Sequence, residues 1–479
     1  MALELTSVAL SATPIDRYRA LLDDDVWAKF EQAMRAAAAA TSGRVVWNVN
    51  STARGGGVAE LLAALLPYER GVGIDARWVV IDGSRPFFDF TKRLHALLHG
   101  FSPDGTAIEA REREVYESTL AENAQALVQL VRPQDIVVLH DPQTAGLAPA
   151  LARQGCRLIW RCHIGIDEPS DMVRRAWHFL RPFVSAAEVL VFSRRAYVWE
   201  GLDPTRVEII RPSLDAFTPK NQDMDQAVTR SILRMAGLLD SNPDGHAASF
   251  LRNDGTTGRV TRKADVIEVA RLTDADPVVA QVSRWDRLKD PAGVMEGFVR
   301  NIDSHAEGHL VLAGPAIGGV GDDPEQPAVM RELLDRWEGL EQSARRRVHI
   351  ARLPMDDTEE NAAVVNALQR RADIVVQKSI AEGFGLTVAE AMWKSRPVVA
   401  SRVGGIGDQI EDGKSGVLVT DPRDLATFGK AISRLLGDPE ARQRLGEEAR
   451  RRAGREFLAP RQLIEQANLL RRLAAHAAG

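Results

Sequence analysis

Two glutamates, 382 and 390, bracket the run Glu382-Gly383-Phe384-Gly385-Leu386-Thr-Val-Ala-Glu390. The β-branched stretch 373–379 ahead of them reads as a buried strand, 380–385 as a loop and 386–394 as a helix. A loop carboxylate at Glu382 can accept hydrogen bonds from sugar hydroxyls, and one about a turn into the helix, Glu390, can accept from both hydroxyls of a ribose. Gly383 and Gly385 let backbone approach a bound molecule, with Phe384 and Leu386 beside them, and the helix start favours a diphosphate. Carboxylates at this spacing are common in helical chains, but this strand, glycine loop and helix setting is not. Upstream, Gln281-Val-Ser-Arg284-Trp-Asp-Arg287-Leu-Lys289-Asp290 leaves another strand. Across a turn, the Arg284 fork and the Lys289 ammonium can converge on one diphosphate and stabilise the charge that grows as it leaves. Taken alone, the run also fits a solvated charged loop.

A second group of residues lies near the amino terminus. In Asn48-Val-Asn50-Ser-Thr-Ala-Arg-Gly55-Gly56-Gly57-Val-Ala-Glu60 a strand runs through three glycines into an amphipathic helix. Backbone N–H groups there can face a phosphate or sugar oxygen, although a turn made only for packing would look the same. The spacing is not Gly-x-Gly-x-x-Gly, which weakens a nicotinamide reading. His140, Asp141 and His163 fall at strand carboxyl ends, where open α/β sheets bind ligands, and together with Asn50 they suit hydrogen bonds to sugar hydroxyls. A lone strand-end histidine is more often structural.

These residues need elements to hold them. Strands expected at 45–50, 78–82, 135–140, 157–163, 188–193 and 207–211 alternate with helical stretches, and the alternation restarts at 278–283, 309–314, 348–352, 373–378 and 397–401. That is the α/β pattern of two Rossmann-like parallel-sheet domains. The length of 479 residues exceeds one usual core and supports the division. Domains are expected at 1–215 and 216–455, with 456–479 a last helix returning to the first domain. Residues 1–44 read as helical, and the turn-rich 240–262 reads as a mobile loop. A net charge of −5 gives no sign of nucleic-acid binding. Cys156 and Cys162 are too few for a disulfide framework and are expected to be reduced and buried. With no basic leader and no long apolar window, the expected location is the cytoplasm, away from membranes. No ligand cluster in the sequence calls for a metal.

The Glu-x7-Glu segment with the Ser-Arg-x5-Asp loop resembles the retaining GT-B glycosyltransferases of the glycogen-synthase-like and sucrose-synthase-like group, over roughly 278–420. More specifically, Asn50–Glu60, Ala76-Arg-Trp-Val-Val-Ile, Phe87-Phe-Asp-Phe-Thr-Lys92, His140-Asp-Pro-Gln143 and Arg161-Cys-His-Ile-Gly-Ile-Asp167 look like the trehalose glycosyltransferring synthases and the related trehalose phosphorylases. The resemblance implies a GT-B fold whose two domains face a central cleft. It implies reversible transfer of glucose from a nucleoside-diphosphate glucose, such as UDP-glucose or ADP-glucose, to the anomeric hydroxyl of glucose, giving α,α-trehalose with retention. Carried over, Glu382 contacts the transferred glucose, Glu390 the ribose, Arg284 and Lys289 the diphosphate, and Gly56 and Gly57 the donor from the opposite domain. His163 contacts a sugar hydroxyl or orients the acceptor. Mg2+ is implied only as a companion of the nucleotide, and a homodimer by the family alone.

No side-chain nucleophile stands out, so front-face transfer through an oxocarbenium-like transition state is expected, with the departing phosphate oxygen taking the acceptor's proton. The alternatives are a trehalose phosphorylase, retaining transfer to another small sugar, and a non-catalytic sensor. The presence of Arg284, Lys289, Glu382 and Glu390 together speaks against the sensor.

Overall fold

The computed structural model describes residues 5–54, 56–101, 107–240, 245–301, 308–317 and 325–475. It divides into two compact units, Met1–Ser213 with Ala459–Gly479, and Leu214–Leu458.

The first unit is built on strands β1 (Thr6–Val8), β2 (Val45–Asn50), β3 (Asp75–Val80), β4 (Ile136–His140), β5 (Arg157–Cys162), β6 (Val189–Phe192) and β7 (Val207–Ile209). Their spatial order is β1-β3-β2-β4-β5-β6-β7, with β1 antiparallel and the rest parallel. Every residue of β2 and of β4 is buried, as expected of strands covered on both faces. Alternation then sorts the side chains. Val45, Trp47, Val49, Val137, Leu139, Leu158, Trp160 and Cys162 join one apolar cluster, while the residues between them, including Asn48, His140 and Arg161, take the other face. Within this unit the helix Asp24–Ala40 packs against the last helix, Ala459–Ala475.

Residues 1–44 are not helical throughout. β1 adds an antiparallel edge to the sheet, and beyond it Thr13 N donates to the Pro67 carbonyl at 2.8 Å. Gly71 permits that approach, since a Cβ there would stand 1.9 Å from the Thr13 oxygen. Both cysteines are buried and free.

The second unit holds a small hairpin, β8 (Ser249–Leu251) with β9 (Thr257–Arg259), and a sheet of β10 (Asp265–Ile267), β11 (Val278–Val282), β12 (His309–Pro315), β13 (Val348–Leu353), β14 (Ile374–Gln377), β15 (Val398–Ser401) and β16 (Val417–Val419). The sheet order is β10-β13-β12-β11-β14-β15-β16, with β10 antiparallel and the others parallel. Its apolar cluster draws on Val279, Leu310, Leu312, Ile350, Ile374, Val376 and Val399.

The hairpin corrects the expectation of a mobile loop over 240–262, of which 241–244 lie outside the described residues. It is tied to the helix Thr358–Arg371, whose cap Asp357 takes the Arg252 guanidinium (3.2 Å) along with Glu359 (3.0 Å). One oxygen of the buried Glu360 accepts the backbone N–H groups of Thr261 and Arg262, both at 2.7 Å. Turn-forming composition marked the bends correctly, but carboxylates roughly a hundred residues downstream order them, and local composition does not register such partners. Among the described residues no helix is long and apolar enough to cross a membrane. Glu360→Ala would leave two backbone donors unpaired, so the segment 249–261 is expected to lose about 1–3 kcal/mol of local protection. Hydrogen-exchange mass spectrometry reads this directly, and unchanged exchange there would remove Glu360 as the anchor.

Candidate active site

In the second unit the chain leaves β11 and β14, neighbouring strands whose flanking strands continue in opposite directions, so the loops at their carboxyl ends diverge and leave a crevice. The expected donor-side residues sit on those two loops. After β11, Asp286 caps a single turn, Arg287–Lys289, accepting from Leu288 N at 2.7 Å, and Arg284 donates to the other Asp286 oxygen at 3.2 Å. Gln281, from the strand itself, holds the Lys289 carbonyl at 2.8 Å. The β14 loop is bound to this turn by Ile380 N donating to the Leu288 carbonyl at 2.7 Å.

Lys289 and Glu382 meet across the crevice as an ion pair. A row of donors converges on the same carboxylate: Thr387 donates to Gln377 (3.2 Å), Gln377 to Ser379 (2.9 Å) and Ser379 to Glu382 (3.3 Å). Beneath it, the fully buried Lys378 pairs with Asp290 and donates to the Pro422 carbonyl at 2.7 Å. Asp290 occupies left-handed backbone (φ 48°) and accepts from Gly293 N at 3.0 Å, so it opens the helix Pro291–Asn301 and aims Lys289. Asp290 closes the Ser-Arg-x5-Asp loop noted in the sequence, but its pairing with Lys378, which the sequence did not single out, appears only once β11 and β14 are neighbours.

Glycines shape the loop. Gly385 has φ +83°, with Glu382 and Ile406 atoms 3.2 and 3.0 Å from where its Cβ would lie, and it caps the helix Leu386–Trp393. Gly405 N donates to the Gly383 carbonyl at 3.0 Å, Gln409 holds the Phe384 carbonyl, and the Phe384 ring packs edge-on against Phe457 at 5.9 Å. Leu386 begins the helix.

Glu390 belongs to a different set of contacts. It is nearly buried, with Gln369 donating at 3.4 Å and the Lys220 ammonium at 3.9 Å. Fully buried Lys394 donates to Gln369 (2.7 Å), to Asn221 (3.1 Å) and to the Glu390 carbonyl (3.3 Å). Burial draws the Lys394 pKa down to about 7 against the opposing pull of Glu390.

In the first unit, β2 and β4 form the corresponding divergence. Gly56, at φ +81°, caps the helix Gly57–Gly71, and nothing lies within 4 Å of where its Cβ would be. Backbone conformation, rather than packing, requires glycine there. Gly55 lies outside the described residues. Asn50 is turned inward, accepting from Trp78 (2.7 Å) and donating to the Thr52 carbonyl (2.7 Å). Asp141, in left-handed backbone at φ 63°, braces His163 by accepting its N–H at 2.7 Å. Its own burial raises the Asp141 carboxyl pKa to about 7, partly offset by that hydrogen bond and by Arg161. His163 and His140 are hydrogen-bonded ring to ring at 3.0 Å. The sequence signal for the partners around them was a pair of polar residues two apart at the carboxyl end of β2, Asn48 with Asn50, and another spanning the end of β5, Arg161 with His163.

Among the described residues no group of three or more His, Cys, Asp or Glu side chains could hold a metal ion.

Residues 48–199 match the family model described as trehalose synthase, N-terminal domain, and 263–452 match glycosyl transferases group 1. A trehalose synthase of Rubrobacter xylanophilus is 33% identical over 95% of this chain and 96% of its own. The chain belongs to the trehalose synthase family. It joins a stretch that matches the trehalose synthase N-terminal model to one that matches the glycosyltransferase model. The relation to phosphorylases is weaker: the trehalose phosphorylase of Grifola frondosa is 25% identical over 84% of this chain and 53% of its own length. In structure, an α,α-trehalose-phosphate synthase (UDP-forming) of Burkholderia vietnamiensis superposes with a TM-score of 0.66 at 16% identity, covering 90% of this chain and 98% of that one. The fold is GT-B.

Two outcomes follow from the geometry. Gly405→Ala would set a Cβ 2.6 Å from Phe384 Cα, against a nearest approach of 3.5 Å at Gly339. The first substitution is expected to lower stability by about 1–3 kcal/mol in thermal unfolding and Gly339→Ala to leave it nearly unchanged. Burial, followed by the Arg161 charge, lowers the His140 pKa to about 3. Its ring should therefore stay neutral, with no inflection between pH 5 and 8 in an NMR titration, where an ordinary histidine would titrate.

Proposed function

We propose that this chain transfers glucose, with retention and reversibly, from a nucleoside-diphosphate glucose to the anomeric hydroxyl of glucose, giving α,α-trehalose. The observation that carries the reading is the Lys289–Glu382 ion pair between the loops after β11 and β14 of a glycosyltransferase domain, with Arg284 on the first of those loops. The trehalose synthase match over the first unit supports the acceptor and product.

In this reading Arg284 and Lys289 take the diphosphate. The Lys289 ammonium, paired with Glu382 in this structure, passes to the phosphate oxygens, and Glu382 turns to hydroxyls of the transferred glucose. The bond from the anomeric carbon to the phosphate oxygen breaks, a bond to the acceptor oxygen forms on the same face, and the acceptor's proton moves to the departing phosphate. Cations held in place before reaction stabilise the charge that develops on the leaving group. Glu390 is assigned to the ribose, and Gly56, Gly57, Asn50, Asp141 and His163 to the sugar side. Mg2+ enters only as a companion of the nucleotide, because the nearby carboxylates of Glu382 and Asp290 are each taken by a lysine.

Incubating the protein with trehalose and UDP, ADP or phosphate decides between donors. Consumption with a nucleoside diphosphate and formation of its glucose ester is the expected result, and consumption with phosphate alone would make the protein a phosphorylase. Glu382→Ala should lower turnover by at least about a hundredfold while nucleotide binding stays measurable by calorimetry. Arg284→Ala should weaken binding and turnover together, and full activity in Glu382→Ala would refute the site assignment.

A further inference from the structure

Asn48 on β2, His140 at the end of β4 and His163 just past β5 lie on one face of three adjacent strands. They form a continuous hydrogen-bonded row. Asn48 Oδ1 is 3.1 Å from His140 Nε2, and His140 Nδ1 is 3.0 Å from His163 Nε2, with the two rings inclined by only 19°. An amide oxygen can only accept, so His140 carries its proton on Nε2. A neutral ring has one N–H, which leaves His140 Nδ1 as an acceptor, and His163 must then donate from its own Nε2.

The surroundings keep both rings neutral. Burial disfavours the charged form of each imidazole, and Arg161, buried on the same face, adds to the effect. Asp141, whose carboxylate also faces this group, is occupied by the His163 backbone N–H. Buried Glu69 lies with Asn48 and Arg161 around a cavity behind the row.

We propose that Asn48 and His140 are positioning residues that lock His163 into the neutral tautomer protonated on Nε2, leaving its Nδ1 as a hydrogen-bond acceptor for a sugar hydroxyl. The inference rests on the reading that His163 meets a bound sugar. It adds that the ligand donates and the imidazole accepts, so recognition at this point requires a hydroxyl proton.

The test uses the full chain labelled with 15N-histidine. Two-bond proton–nitrogen correlation spectra distinguish the two neutral tautomers, and His140→Gln and His163→Gln assign the signals. The unaltered protein should show both rings protonated on Nε2. Asn48→Leu should let His140 and His163 populate both tautomers and should lower kcat by at least about tenfold. Asn48→Gln, which keeps an uncharged amide oxygen as acceptor, should restore the tautomer and most of the turnover. His163 protonated on Nδ1 in the unaltered protein overturns the proposal whatever the variants do. So does full turnover in Asn48→Leu once its tautomer has been lost. Full turnover in His163→Ala would instead overturn the underlying reading that this ring meets a sugar.

Discussion

Parallel strands joined by right-handed crossovers deliver every strand carboxyl end to one edge of a sheet, and the order of the strands decides where two of those ends part. The rest of each unit depends on that constraint. In the second unit the parting strands are β11 and β14, and in the first they are β2 and β4. Residues far apart in the chain, such as Lys289 and Glu382, become partners because their strands are neighbours at that point.

The two crevices treat charge differently. In the second unit charges are present and balanced: Lys289 with Glu382, and Lys378 with Asp290. Such pairs suit a diphosphate, since an incoming anion can exchange for a carboxylate without leaving a cation alone. In the first unit burial suppresses charge on the imidazoles, and Arg161 reinforces the effect. Neutral hydrogen-bonding groups fit an uncharged sugar, whose hydroxyls need oriented donors and acceptors more than a field.

Carboxylates also organise backbone away from the crevices. Glu360 gathers the N–H groups of Thr261 and Arg262, and Asp141 holds that of His163. In both cases one buried acidic side chain fixes a segment with no regular secondary structure of its own. Hydrogen bonds to a charged acceptor are stronger than those between neutral groups, so each carboxylate helps to hold the backbone that donates to it.

The alternation of apolar strands with amphipathic helices determined the α/β class and most of the strands, because burial on both faces leaves a composition signature wherever it occurs. Arg284, Lys289, Glu382 and the glycines could be nominated for a related reason: they lie where strand turns to helix, and the breaking residues mark that place. The edge strands β1 and β10 were not legible, being three residues each and stabilised by the strand beside them. The same holds for the hairpin at 249–259, whose anchors lie on a distant helix. Only tertiary structure decided that Asn50 and Asp141 spend their hydrogen bonds inside the protein, that Glu390 sits with Lys220 and Lys394 apart from the Lys289–Glu382 pair, and that Asn48 reaches His163 through His140. A sequence shows which groups are able to bond. The choice among partners depends on distances of about 3 Å across neighbouring strands, and those exist only after the sheet has formed.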